Sequence, residues 1–271
     1  MMRQYMSGFT DVDRAADPRS FVRHLDEARS TDEIRAAKLR TFDILNVCKG
    51  SRVLDVGCGT GDDARALAEM VGKGGWVVGV DSSETMVLEA RKRARECDLP
   101  LEFRLGDAHQ MDFPDDTFDA CRADRVFMHL EDPRRALSEM VRVARPGARI
   151  MVTEPDWETL VMAADDEAVA GRIVALIRNS IRQSRIAHCL PPLFKELGLL
   201  NVTVGAGTIL MNDYQAADQA WRISKILEDA QAMGAVSATL AAGWVHHLEQ
   251  TSRAGRFFSA CTGFGVAGIK R

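Results

Sequence analysis

Between residues 52 and 153, short apolar runs alternate with stretches of helical spacing, and few architectures satisfy that alternation. The runs are 52–56, 76–80, 101–105, 118–122 and 149–153. Between them, 62–71 places Ala64, Leu67, Ala68 and Val71 on one helical face. A second helix starts at Ser82 or Ser83, either of which supplies a side-chain cap, and runs to about residue 97. A third covers 133–144 and is stopped by Arg145-Pro146-Gly147. Five strands interleaved with helices predict an α/β, Rossmann-like, doubly wound and mostly parallel sheet with right-handed crossovers.

The flanks read differently. Residues 20–28 form a helix with Phe21, Leu25 and Ala28 on one side, and a second helix carries Ile34, Ala37, Thr41, Ile44, Leu45 and Cys48 before Lys49-Gly50 ends it. After Glu154 the pattern predicts one amphipathic helix over 165–185, a helix over 192–197, a strand over 201–210, helices over 216–230 and 235–252, and a closing strand within 256–269. The sheet then has seven strands. With no repeat and no linker, the expectation is one domain: a helical cap at 1–48, a cofactor-binding core at 49–154, and acceptor-pocket helices with closing strands at 155–271.

The chain has 271 residues, 46% hydrophobic and 27% charged, with a net charge of −4. Without a long basic run, no nucleic-acid surface is expected. The first ten residues lack the apolar core of a signal peptide, and no apolar run is long enough for a membrane span. A cytoplasmic location follows as the expectation. None of the six cysteines (48, 58, 97, 121, 189 and 261) sits in a CxxC pair, so buried, reduced thiols and no metal site are expected.

The stretch VLDVGCGTG, residues 53–61, carries the function. Three glycines in five residues cost conformational entropy and need a reason. In a doubly wound sheet the loop after the first strand lies at the carboxyl edge, where ligands bind, and glycines let main-chain atoms approach one closely. A dinucleotide site expects G-x-G-x-x-G with a pyrophosphate on the helix N-terminus. Here the spacing is G-x-G-x-G, and Asp62-Asp63 opens the helix, which would repel a pyrophosphate. A ligand bringing a positive or zwitterionic group is expected.

Asp55, Gly57, Gly59 and Gly61 match the (D/E)-x-G-x-G-x-G pattern that this stretch resembles, motif I of the class I S-adenosylmethionine-dependent methyltransferases. Further matches follow in order. Asp81 ends the second strand, where the resemblance implies bonds to both ribose hydroxyls, with Ser82 beside it and Met86 one turn on near the adenine. Gly106-Asp107-Ala108 follows the third strand, and the resemblance implies that the acid accepts from the adenine amino group. Cys58 and Thr60 in the loop, and Arg122 and Ala123 in the fourth strand, are placed beside the cofactor in the same way. The run FPDDTFDACRADRVFMHLEDPRRALSEMVRVARPGARI looks like the ubiquinone/menaquinone-biosynthesis type, departing at Ala148 and in the charges of Arg122, Asp124 and Arg125. The resemblance covers residues 34–154.

It implies S-adenosyl-L-methionine as cofactor and a small-molecule methyl acceptor. An oxygen or nitrogen acceptor has to lose a proton, which calls for a general base, whereas an electron-rich carbon needs less help. His129 is the candidate base, with Glu154 and Asp156, at the end of the fifth strand, to orient it or contact substrate. His246 and His247 are adjacent on a helix and cannot face one site. Trp221 and Trp244 stripe two helices suited to core packing or to a lid over an apolar molecule, and Tyr5, Phe9 and Phe21 suit closure from the other side. The stripes also suit an interface between copies in a homo-oligomer. The alternatives are a nicotinamide-dependent oxidoreductase, a non-catalytic cofactor-binding module and a nucleic-acid methyltransferase. The glycine spacing argues against the first, and the acidic balance with the lack of an Asn/Asp-Pro-Pro-aromatic motif argues against the last.

Overall fold

The computed structural model describes residues 8–271. Its centre is a seven-stranded sheet built from β1 (Arg52–Val56), β2 (Trp76–Asp81), β3 (Leu101–Leu105), β4 (Phe118–Asp124), β5 (Ala144–Met162), β6 (Leu200–Met211) and β7 (Ser259–Ile269). The order is β3-β2-β1-β4-β5-β7-β6. The first five strands are parallel, and β7 runs antiparallel to both β5 and β6. The order reverses between β1 and β4, so the loops leaving those strands open a crevice at one end of the sheet.

The crossover helices are α3 (Asp62–Val71), α4 (Glu84–Ala94) and α5 (Pro133–Val143), preceded by α1 (Arg19–Ser30) and α2 (Asp32–Leu45). Helix α2 stops three residues before the Cys48 expected as its last inward residue, because Asn46 takes a left-handed conformation with φ 52°, the geometry that ends many helices. Ser83, rather than Ser82, caps α4, accepting from the Met86 N–H. Strands β1 and β2 are buried on both faces, packing Leu54, Val56, Val78 and Val80 on one side and Val53 and Val77 on the other.

The largest departures lie after residue 153. Strand β5 does not end at Thr153 but continues through Glu154, Pro155 and Asp156 to Met162, paired with β7 beyond the point where β4 has stopped. Acidic residues and proline are depleted from strands, so the sequence reads as leaving the sheet. Pairing with β7 overrides that propensity, and the irregularity between Asp156 and Val161 absorbs the misfit. The single helix expected over 165–185 ends at Ser180, with Ile181 extended, in α6 (Glu167–Ser180). Helix α7 (Ile186–Glu196) starts well before Pro192 and contains both Pro191 and Pro192. The helix expected over 216–230 is two, α8 (Tyr214–Trp221) and α9 (Ile223–Ala232), divided at Arg222 with φ 56°. No glycine marks that break. Helix α10 (Ala238–Arg253) is capped by Ser237 and buries Ala241, Trp244, Leu248 and Thr251.

Of the six cysteines, all free, only Cys121 and Cys261 are buried; Cys48, Cys97 and Cys189 are exposed. No group of three metal-ligating side chains occurs among the described residues, and no helix of these is long and apolar enough to cross a membrane.

Candidate active site

A cavity of about 690 Å³ runs from the loop after β1 to the helices that follow β5. Its first half is built by β1–β3. Gly57, Gly59 and Gly61 all have positive φ, between 52° and 78°. At Gly57 a Cβ would collide with the Val126 side chain, and at Gly61 with Phe103 and Ala90. The glycines are therefore demanded by backbone conformation and by packing within the protein as well as by ligand approach. The Gly57 and Cys58 N–H groups both donate to Val80 O, at 2.7 and 3.0 Å, pinning the loop to the end of β2.

Asp81 lies at that end. Its carboxylate accepts from the Gly59 N–H and the Ser83 N–H, both at 2.9 Å, and burial pushes its pKa up. Each oxygen keeps a second lone pair for a ligand hydroxyl. Asp81 lines the cavity together with Cys58, Thr60, Ser82, Met86, Gly106, Asp107 and Ala108. Met86 is also core, packed against Val12 and Phe21. Asp107 Oδ1 accepts from the His109 N–H at 2.8 Å and meets His109 Nδ1 at 2.6 Å. Asp13 reaches the same corner from the N-terminal segment, accepting from Ser83 Oγ at 2.8 Å and from the Glu84 N–H at 2.7 Å.

The acids of the loop are less available than the sequence suggests. Asp55, 3% exposed, lies 3.3 Å from Arg122, and burial raises its pKa to about 7. Asp63 pairs with Arg122 at 3.1 Å, with Lys38 and with Arg29. Lys38 also holds Asp124 at 2.9 Å. These cations keep the Asp63 and Asp124 carboxyls below the usual range despite burial. Asp62 pairs with Arg65 and, at 3.3 Å, Arg93. The helix start is thus paired with this chain's own bases, so its two acids repel an anion less than their charges alone imply. Arg122 lies beneath the loop rather than on the cavity, as does Ala123: both are buried and neither is part of its lining.

The second half is mostly apolar: Trp157 and Ile209 from the long strands, Ile181 after α6, and Trp221 and Ile226 from α8 and α9 line it. Trp221 is both core and cavity wall. His129, on the turn after β4, lines the cavity as well. Burial, with the charges of Arg125, Arg182 and Arg222, depresses its pKa to about 3, so its imidazole is neutral at pH 7. Its Nδ1 is buried and unpartnered among the described residues. Glu154 does not orient it. That fully buried carboxyl accepts instead from the Val126, Phe127 and Met128 N–H groups, at 2.8, 2.6 and 3.3 Å, and burial raises its pKa to about 8. It holds the turn that carries His129. Asp156 points elsewhere, to His188 Nε2 at 2.7 Å, and is not part of the lining. Of the expected closing residues, Phe9 packs 5.4 Å from His129 and 4.9 Å from Phe21; Tyr5 lies outside the described residues.

Arg125 and Asp124, singled out in the sequence as unusual charges, line the cavity; Lys38, His24, Arg182 and Arg222 line it too, and sequence reasoning missed these four. Of these four, Lys38 left a signal, standing four residues after Ile34 on the inward face of α2.

Residues 48–255 match the family described as methyltransferase domain. The chain belongs to this family, the class I S-adenosylmethionine-dependent methyltransferases. A relative of this methyltransferase, 37% identical over 89% of the chain and 69% of its own length, is an uncharacterised 37.1 kDa protein in transposon TN4556 of Streptomyces fradiae. A demethylmenaquinone methyltransferase of Bacillus cereus is 36% identical over 47% of the chain, and that match spans about half of the relative, 54%. Among solved structures, the YcgJ protein of Bacillus subtilis shares the fold with a TM-score of 0.60 at 21% identity, over 88% of this chain and 99% of its own. Phosphoethanolamine N-methyltransferase 2 of Haemonchus contortus, solved with phosphomonomethylethanolamine and S-adenosylhomocysteine, has a TM-score of 0.63 at 19% identity, over 97% and 60%.

Proposed function

We propose that this methyltransferase transfers a methyl group to a small molecule held in the apolar half of the cavity. One observation carries the reading: the glycine loop, with Asp81 and Asp107, and the wall of Trp157, Ile209 and Trp221 belong to one continuous cavity. Its donor half fits the cofactor. Asp81 has lone pairs to accept from the ribose hydroxyls. The Gly57–Gly61 main chain, free of side chains at its glycines, would border the amino-acid tail. Asp107, which meets His109 through Oδ1, and the half-buried loop around it would receive the adenine, with Met86 lining the same part of the cavity.

When bound, the cofactor supplies an electrophilic methyl on a sulfonium, a leaving group already activated. This chain's residues then have to position and to exclude water. Glu154, through three amides, holds the Val126–His129 turn between donor and acceptor. Trp157 and Trp221 present flat apolar surface to the acceptor. His129, neutral but a weak base, can take a proton only from an acidic nucleophile, so the geometry favours an acceptor atom that is already electron-rich. The separation of roles is tested by calorimetry with S-adenosylhomocysteine. Asp81→Ala removes the acceptor of two loop amides and is expected to weaken binding about 100-fold, while Trp221→Ala leaves it within about threefold. Unchanged binding in Asp81→Ala would overturn the assignment of the donor half.

A further inference from the structure

Asp107 lines the cavity with its side chain 64% exposed. A carboxylate that open ordinarily samples several rotamers, and fixing one of them costs entropy. This one is fixed by a neighbour. His109, two residues on, also lines the cavity, and its side chain is only 18% exposed. It meets Asp107 twice through the same oxygen. The His109 N–H donates to Asp107 Oδ1 at 2.8 Å, and His109 Nδ1 lies 2.6 Å from it.

The far side of the imidazole decides which of its nitrogens carries the proton. His109 Nε2 lies 3.2 Å from the backbone nitrogen of Asp132, the residue before α5. A backbone N–H can only donate, so Nε2 is the acceptor in that bond. In the neutral imidazole the proton is then on Nδ1, which donates it to Asp107 Oδ1. Oδ1 thereby accepts two bonds and has no lone pair left. Oδ2 accepts nothing among the described residues, so the carboxylate offers a ligand one oxygen in one orientation. His109 is held in turn. Asp132 caps α5 by accepting from the Arg135 N–H at 3.0 Å, and Arg135 Nε donates to His109 O at 2.9 Å. The loop after β3 is thus tied to the start of α5 through both the ring and the main chain of His109. Against the effect of partial burial, the bonds from His109 and the Arg135 charge keep the Asp107 carboxyl below its ordinary value.

Resting on the methyltransferase reading, we infer that His109 is a positioning residue for the donor: by fixing Asp107 it makes the site select a 6-aminopurine. The adenine amino group brings two N–H donors, one of which meets Asp107 Oδ2. A purine with an oxygen in place of that amino group sets acceptor against acceptor. A carboxylate held in one orientation cannot turn to the ring N–H beside that oxygen, so the mismatch is not relieved. Without His109 the carboxylate swings free, and both the bond and the mismatch weaken.

The test titrates S-adenosylhomocysteine and S-inosylhomocysteine, which differ in that one group, into the full chain by calorimetry. The wild-type protein is expected to bind the adenosyl compound at least about tenfold tighter, as one charge-assisted hydrogen bond allows. His109→Ala should weaken S-adenosylhomocysteine about tenfold and leave S-inosylhomocysteine within about threefold, so that the preference collapses. His109→Asn, whose side-chain amide can donate from the place of Nδ1, should restore most of the preference. His109→Gln, whose amide reaches the place of Nε2 instead, should not. A residue that merely braced the loop would weaken both ligands alike. Equal weakening in His109→Ala, a preference that survives it, rescue by glutamine rather than asparagine, or equal affinity of the wild-type protein for both compounds would overturn the inference. No binding of S-adenosylhomocysteine by the wild-type protein would strike the methyltransferase reading itself, and the inference with it.

Discussion

The donor half of the cavity and the acceptor half are built on opposite principles. The donor half comes mostly from the stretch β1 to β4, with Lys38 reaching in from α2, and its ionisable groups satisfy one another: Asp55, Asp63 and Asp124 share Arg122 and Lys38. The acceptor half is assembled from the loops after β4 and α6, the extension of β5 and the α8–α9 break, and its wall gathers three arginines. A binding half that is electrostatically complete can hold its shape without ligand.

Arg122→Met would break the first half most severely. It takes from Asp55 its ion-pair partner and leaves Asp63 and Asp124 to Lys38 and Arg29, and a loss of about 3–5 kcal/mol in unfolding free energy is expected, measured by urea denaturation. A cost below about 1 kcal/mol would mean that the pairing is not what holds the loop.

The pH dependence sharpens the picture because two buried acids and two buried imidazoles around the cavity titrate with opposite sign. Glu154 and Asp55 have folded pKa values of about 8 and about 7, above their unfolded values. Their favourable contribution is complete below about pH 4 and is lost as pH rises through those values. His24 and His129, both near 3 in the fold, contribute above pH 6.5 and lose it as pH falls toward 3. Between about pH 4.5 and 6.5 the slopes oppose, each worth up to about 1.4 kcal/mol per pH unit. His129→Gln should therefore make stability fall more steeply with rising pH in that window, and Glu154→Gln less steeply, read from urea midpoints at pH 5.0 and 6.5. Coincident pH slopes in the two variants would show that neither group titrates as its surroundings imply.

A smaller effect separates chemistry from positioning. With a transferred methyl acceptor in hand, His129→Gln should lower kcat less than about tenfold, since a conjugate acid near 3 makes a poor base. A fall of a hundredfold or more would restore it as general base. Trp221→Ala should raise the acceptor KM several-fold while the KM for the donor stays put, because one aromatic wall is removed on one side only.

Much of the donor half is legible in the sequence. Strand lengths and the glycine spacing follow from local periodicity, and the resemblance picked out Asp81 and Asp107, both of which line the cavity. Arg122 was placed beside the cofactor because it lies in the right strand, but a single strand does not reveal that α2 and α3 bring Lys38 and Asp63 to it. Glu154 and Asp156 illustrate the same limit. They stand two residues apart on β5 and share neither partner nor role. Glu154 holds the turn at His129, and Asp156 faces His188 on α7.

Local sequence was enough for the parallel core and its glycine loop, because those features depend on period and spacing over a few residues. The continuation of β5 past its proline, the helix breaks at Ile181 and Arg222, and the meeting of three distant arginines over one cavity all needed the assembled fold. Pairing with β7 and packing of α6–α10 outweigh local propensity there, and a side chain's charge says nothing of its neighbours until the fold has brought them together.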